Sequence, residues 1–280
     1  PIKKRKTKLN FNPFLYIWKM IRKILRQLPL HGINIILLFS SIKRFPIVVS
    51  QYFKLKKQRT LSNVKNWPIK SYYPIYLDHK EEAGSLDGHY FHQDLLVATK
   101  IFKENPKNHA DIGSRIDGFI AHLAVFRTVD VFDIRAISKK ILNVNFIQLD
   151  FINNIDHDYK YDSVSSLHVI EHFGLGRYGD PVDYEGYIKG FNNIAKFVKS
   201  GGKLYLSTPI GNQRIEFHAH RVFNISTILE LAKNEFELIT FSYVDDKGDL
   251  HENQDLSHSL ISSNFNCHYG CGIFEFQKNL

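Results

Sequence analysis

His109-Ala110-Asp111-Ile112-Gly113-Ser114-Arg115-Ile116-Asp117-Gly118 is the stretch whose reading decides the fold. A short strand, His109 to Ile112, runs directly into Gly113, which permits a tight turn, and the helix that follows offers an N-terminus that favours a nearby anionic group. Ile116, Phe119, Ile120, Leu123 and Phe126 continue as a helical stripe. Thr128 to Ile134 is then β-branched and aromatic, in the manner of a buried strand. This completes a β-α-β unit. Its second strand ends with Asp133, about twenty residues beyond the glycine turn, where an acid reaches ribose hydroxyls in dinucleotide and nucleoside sites. The glycine pattern is partial, because Arg115 stands where a second glycine would fall, and an ordinary strand-helix turn capped by Asp111 has the same appearance.

Upstream, Phe91, Leu95, Ala98 and Phe102 predict a helix over Tyr90 to Lys103, ended by Asn105-Pro106. Downstream the alternation continues. Val144 to Leu149 and Ser163 to Val169 read as strands, Tyr184 to Lys199 as a helix closed by Gly201-Gly202, and Lys203 to Ser207 as a strand. Ser226 to Lys233 reads as a helix, with Phe236 to Val244 and Ile273 to Gln277 as final strands. The expected class is α/β, a Rossmann-like, doubly wound, mostly parallel seven-stranded sheet with helices on both faces, and its ligands belong at the carboxyl ends of the strands. A basic helical N-terminal extension precedes it, dividing the chain into residues 1–65, a connector over 66–89, and a main domain over 90–280.

Two further strand ends carry chemistry: Gln148-Leu149-Asp150, and Ser166-Leu167-His168-Val169-Ile170-Glu171-His172. With these the chain resembles class I S-adenosylmethionine-dependent methyltransferases. The resemblance implies that the first turn holds the methionine part of the cofactor, that the acid after the second strand holds ribose, and that the acid after the third lies by adenine. The H-V-x-E-H-like strand end would face the methyl group. Carried over by position, the candidate cofactor residues are Asp111, Gly113, Ser114, Asp133, Ile134, Asp150 and His168. Tyr90-Phe91-His92-Gln93-Asp94, Asp111 to Arg115, Glu171 to Pro181 and His218-Ala219-His220-Arg221 together resemble domain of unknown function family 268, from about Tyr90 to Ile228. That resemblance implies a methyltransferase associated with bacterial polysaccharide synthesis.

Candidate catalytic residues are His172, His218 and Glu171. A neutral imidazole is available near pH 7 to take a proton from a hydroxyl nucleophile. His172, His218 and His220 are open to two other readings, a metal site or hydrogen bonds that fix two loops, and no metal ligand is assigned. Arg177, Tyr178 and Asp180, in the glycine-rich loop after the fourth strand, and His220 with Arg221 are candidate substrate contacts, the arginines for phosphate or carboxylate groups. His168-Val169-Ile170-Glu171-His172 also spells H-x-x-E-H, a zinc-protease pattern that needs one helical face, whereas the residues here are strand-like. The expected reaction is methyl transfer to an oxygen of a polar small molecule or glycan intermediate. A non-catalytic, membrane-associated binding module and a nucleotide-sugar-modifying enzyme are the alternatives.

The formal charge of the 280 residues is +9, yet the first sixty carry Lys and Arg throughout, from Lys3 to Arg59, with no Asp or Glu. The basic excess therefore belongs to the extension, and a nucleic-acid partner does not follow from it. Phe14, Trp18, Ile21, Leu25 and Leu28 recur at helical spacing among those charges. Two readings stay open: a helix docked on the main domain, or residues 1–60 lying on an anionic membrane surface. The apolar run Ile33 to Phe39 is well short of the roughly 20 residues a spanning helix needs. Cys267 and Cys271 are too few for a disulfide framework and read as free thiols, although C-x-x-x-C beside His268 also has the look of a redox or metal pair. With no secretory signal pattern, the expected location is cytoplasmic, with peripheral attachment to the inner membrane face as a further expectation.

Overall fold

The structure is a computed structural model, and it describes residues 35–63, 67–70, 74–75, 88–153, 155 and 159–280. The chain divides into two compact units, Pro1–Ser85 and Leu86–Leu280. In the first, helix α1 (Ile35–Leu61) continues through Pro46, where the missing N–H and the ring's clash with the preceding turn ordinarily cost about 3 kcal/mol. No described helix is long and apolar enough to cross a membrane. The expected stripe from Phe14 to Leu28 lies outside the described residues.

The second unit is built on one eight-stranded sheet. Its strands are β1 (His109–Ile112), β2 (Val129–Asp133), β3 (Val144–Gln148), β4 (Tyr161–Leu167), β5 (Val198–Ile210), β8 (Phe236–Val244), β9 (Leu250–His251) and β10 (Gly270–Lys278), in the order β3-β2-β1-β4-β5-β10-β8-β9. From β3 to β5 all neighbours are parallel, while β10 runs antiparallel to both β5 and β8. The sheet is thus mostly parallel and Rossmann-like as expected, but it has one strand more than seven, because the two-residue β9 adds an edge too short to leave an alternation in the sequence. A separate two-stranded ribbon, β6 (Arg214–Glu216) with β7 (His220–Val222), follows β5.

Helices cover both faces. On one, α2 (His89–Glu104) and the segment formed by a π turn (Ile116–Ile120) and α3 (Ala121–Ala124) bury Val97, Ile101, Phe119, Ile120 and Leu123 against Val129, Val131 and Leu167. On the other, α4 (Gly186–Phe197) and α5 (Ile225–Ala232) bury Phe191, Ile194, Ile225 and Ile228 against Ile112, Phe132, Val164 and Leu206. The alternation of Val131 and Phe132 between these cores is the period-2 signature of a sheet buried on both sides. A last short helix, α6 (His258–Ser262), precedes β10.

Gly201 and Gly202 do not close α4 as expected. The helix ends at Phe197, and the glycines lie within β5, where the register against β4 slips between Tyr161↔Val198 and Ser163↔Lys203. Gly201 has a φ of 73°, and a Cβ on Gly202 would come within 3.0 Å of the Asp162 carbonyl oxygen. This is a bulge, which needs the freedom and the close approach that glycine permits.

The chain leaves β1 for β2 and β3 on one side and then returns to place β4 on the other. Between β1 and β4 the order reverses, so the loops at their carboxyl ends diverge and leave a crevice.

Candidate functional site

The crevice is a cleft of about 320 Å³. Its floor is the end of β1, where Gly113 adopts a φ of 74° and its N–H donates to the Phe132 carbonyl at 2.7 Å. A Cβ at this position would sit 2.7 Å from Cγ1 of Val169. Glycine is therefore required twice over, for its left-handed backbone and for the close packing of the neighbouring loop.

Asp111 and Ser114 support that turn from behind and do not line the cleft. The Asp111 carboxylate accepts from the Ser114 N–H (3.0 Å), the Ser114 hydroxyl (2.7 Å) and the Ser165 hydroxyl (2.5 Å), and Ser114 Oγ in turn accepts from the Leu167 N–H. Burial pushes Asp111 up to about 7, against the pull of these donors. The pair ties the end of β1 to the end of β4.

Asp133, Ile134 and Asp150 do line the cleft, at the ends of β2 and β3. Asp133 is held by Arg135, whose guanidinium donates at 2.9 and 2.6 Å and whose backbone N–H donates at 2.8 Å. Asp150 accepts from the Ile152 N–H and from the Asn153 side chain, shaping the turn that presents Leu149, Phe151 and Ile152 as the apolar wall.

The opposite wall is His168, Val169, His172, Phe173, Arg177, Tyr178 and Asp180. His168 has a φ of 55°, a strained backbone for a residue with a side chain, which places its ring at the end of β4. Its Nδ1 lies 2.8 Å from Oε1 of buried Glu171, and its Nε2 lies 3.2 Å from Nδ1 of His89. His89 Nε2 in turn lies 3.1 Å from the Tyr269 carbonyl, which can only accept, so His89 carries its proton on Nε2 and presents a bare Nδ1. His168 is then the donor on both sides. Burial opposes its charge, but Cys271 and Glu171 raise its affinity for a proton well above that of a free imidazole. Among the described residues, Glu171 Oε2 has no hydrogen-bond partner.

His172 is placed differently. Its Nδ1 donates to the Ala219 carbonyl at 2.8 Å, leaving Nε2 without a proton, and its ring meets Tyr178 edge to face at 5.3 Å between centroids. Burial lowers its proton affinity. Tyr178 is flanked by two guanidinium groups, Arg135 at 4.7 Å and Arg177 at 5.1 Å from its ring. Neither His168 nor His172 stands on a helix, so the H-x-x-E-H spacing does not form a zincin site.

Three candidates lie off the cleft, and a fourth is occupied in folding its wall. His218 is exposed, with a φ of 64°, in the turn between β6 and β7. His220 packs its ring on Tyr269 at 5.1 Å and does not line the cleft. Arg221 is buried, and its guanidinium donates to the carbonyls of Phe173 (2.5 Å) and Tyr184 (3.1 Å), so it clamps the loop after β4 and does not face a ligand. Asp180 lines the cleft, but its carboxylate accepts from the N–H groups of Gly174, Gly176 and Tyr178 and is occupied in folding that loop.

Tyr90, Arg115 and Arg135 line the cleft without having been singled out as ligand contacts. Arg115, the residue that breaks the glycine pattern, pairs with Asp117 and lies 5.4 Å from the Tyr90 ring. Its oddity in the turn was the signal. Arg135 had a weaker one, standing two residues beyond the strand-end acid.

A family model described as "Caenorhabditis protein of unknown function, DUF268" matches residues 125–266. No curated protein matches the chain. Solved structures of similar fold include the N-methyltransferase NodS from Bradyrhizobium japonicum WM9 in complex with S-adenosyl-L-homocysteine, at 13% identity over 67% of this chain and 85% of that one, with a TM-score of 0.45. A 1,6-didemethyltoxoflavin-N1-methyltransferase from Burkholderia thailandensis aligns at 11% identity over 68% and 80% of the two chains, with a TM-score of 0.47. An S-adenosylmethionine-dependent methyltransferase from Clostridium acetobutylicum ATCC 824 aligns at 11% over 69% and 94%, with a TM-score of 0.46.

Proposed function

The chain belongs to the DUF268 family, and from that premise we propose that its Leu86–Leu280 unit is an S-adenosylmethionine-dependent methyltransferase acting on an oxygen of a polar acceptor such as a sugar or glycan intermediate. The observation that carries this reading is the cleft at the reversal of strand order. It brings together a side-chain-free turn at Gly113, carboxylates at the ends of β2 and β3, and an imidazole with a bare Nε2.

These residues fit the cofactor. Asp133 is the strand-end acid suited to two ribose hydroxyls, which would take the place of the hydrogen bonds that the half-exposed Arg135 guanidinium now makes to this largely buried carboxylate. Leu149, Phe151 and Ile152 offer an apolar surface for a base, with Asp150 at its edge. When bound, the cofactor supplies an electrophilic methyl group on a sulfonium. The chain's part is to align the acceptor and take its proton. His172 Nε2 is the acceptor of that proton, held in the correct tautomer by the Ala219 carbonyl. Arg115, Arg135 and Arg177, with the rings of Tyr90 and Tyr178, give the mouth of the cleft a cationic and aromatic character suited to sugar faces and to phosphate or carboxylate groups.

Calorimetric titration with S-adenosylmethionine and S-adenosylhomocysteine tests the reading. Binding should be saturable and roughly 10- to 100-fold weaker in Asp133→Ala, as expected for loss of hydrogen bonds to a charged group. Absence of binding to either compound by the folded wild-type chain would sink it.

A further inference from the structure

We propose that His89, His168 and Cys271 form a binding site for a divalent zinc-like cation behind the cleft. The donor atoms His89 Nδ1, His168 Nε2 and Cys271 Sγ all lie within 4.8 Å of one another. Zinc binds imidazole nitrogen at about 2.0–2.1 Å and thiolate at about 2.3 Å, so donors around a tetrahedral ion stand about 3.3–3.6 Å apart. The two nitrogens, at 3.2 Å, already have that spacing, and seating the sulfur asks for a shift on the order of 1 Å.

The surroundings of the histidines are the second observation. A metal-bound histidine almost always donates its other ring N–H to a carboxylate or a backbone carbonyl, which fixes the tautomer and raises the ligand's basicity. Here both do so, His168 to Glu171 and His89 to the Tyr269 carbonyl. Burial is the third. Cys271 is fully buried and Glu171 is 1% exposed, with one oxygen unpartnered among the described residues, so the donor set is closed off from bulk water. A divalent ion would take the position between the imidazoles that a proton now bridges, and the thiol would lose its proton on ligation. Gln93 Oε1, 3.6 Å from Cys271 Sγ, or a water would complete the tetrahedron. Cys267 takes no part: it packs in the opposite core, which corrects the pairing suggested by the C-x-x-x-C spacing.

The ligands come from the start of α2, the residue after β4 and the second residue of β10, so the ion would pin three segments distant in sequence. His168 also lines the cleft, so the test reads metal binding and not turnover. The tag-free full-length chain, stripped with chelator, is titrated with Co²⁺. One equivalent should bind with a thiolate-to-cobalt charge-transfer band that disappears in Cys271→Ser and remains in Cys267→Ser. Affinity for Zn²⁺ should fall at least 10-fold in His89→Gln and about 10- to 100-fold in Glu171→Gln, the second change testing the supporting carboxylate. Circular dichroism establishes that each variant is folded. No stoichiometric band in the folded wild-type chain, or a band that survives Cys271→Ser, would overturn the proposal, whereas the S-adenosylhomocysteine titration bears only on the cofactor reading.

Discussion

At the scale of single residues, His172 is the side chain on which the proposed chemistry turns. Its burial lowers its proton affinity below the ordinary value of 6.5, so the neutral, proton-accepting form is present at and above neutrality and is lost only as pH falls through that lowered value. The pH profile of kcat/KM should therefore have an acid limb below about 6.5. His172→Ala should reduce kcat by about 10²- to 10⁴-fold, the usual contribution of a general base, while S-adenosylhomocysteine affinity stays within about twofold. A variant with undiminished kcat would move the base elsewhere. Position at a strand end made the placement of His172, Asp133 and Gly113 on the cleft readable from the chain alone. Arg221 was not readable in the same way. Its partners are carbonyls of a loop some forty residues earlier, and nothing local in His218-Ala219-His220-Arg221 separates a clamp from a ligand contact. His89 is a similar case, because its role depends on residues 168, 269 and 271.

At the scale of elements, the contact between α4 and the loop after β4 sets the shape of the cleft wall. Gly190 faces Phe173 so closely that an added Cβ would lie 2.0 Å from Cδ2 of the ring. Gly190→Ala should destabilise the unit by about 1–3 kcal/mol despite alanine's better helix propensity, since the ring must shift out of a packed site. Thermal melting measures the first effect, and a drop in ligand affinity reports displacement of Phe173 from the cleft. A stable variant with intact binding would show that the ring moves freely. Apolar periodicity located α2, α4 and α5 to within a few residues, but in α2 the stripe read from Phe91, Leu95 and Phe102 is exposed and the helix buries Val97, Ala98 and Ile101 instead. Periodicity misplaced the boundary at Gly201-Gly202, where a glycine pair after a helical run has one signature for a helix end and for a bulge. The difference lies in the partner strand, and the Asp162 carbonyl decides it.

At the scale of the whole molecule, the chain divides into two compact units, and basic residues of the first fall on α1. On α1, Lys43, Arg44, Lys54, Lys56, Lys57 and Arg59 are interspersed with exposed Leu38, Phe39, Ile42, Phe45, Phe53 and Leu55. This is the composition of an interfacial helix. The full chain should co-sediment with vesicles containing phosphatidylserine at about 0.1 M salt, and not with neutral ones, and should be released as ionic strength rises severalfold. Failure to bind anionic vesicles at low salt would leave the segment without this role. The doubly wound class was legible because strand and helix periods alternate from residue 90 onward, whereas the position of β10 inside the sheet was not, since strand order is set by pairing across the chain.

That position has a consequence for how the molecule comes into being. β10 fills the gap between β5 and β8 and brings Cys271 to the inner core, yet it is translated after every other strand. A nascent chain can assemble β1 to β5 with their helices early, since domains tend to form from the N-terminal side during synthesis. It cannot seat β8 and β9 until residues 270–278 have cleared the ribosome, so for that interval β5 and β8 present bare backbone edges. Such edges are where strands from other molecules attach, and until β10 inserts between them the chain is open to aggregation and to chaperone capture.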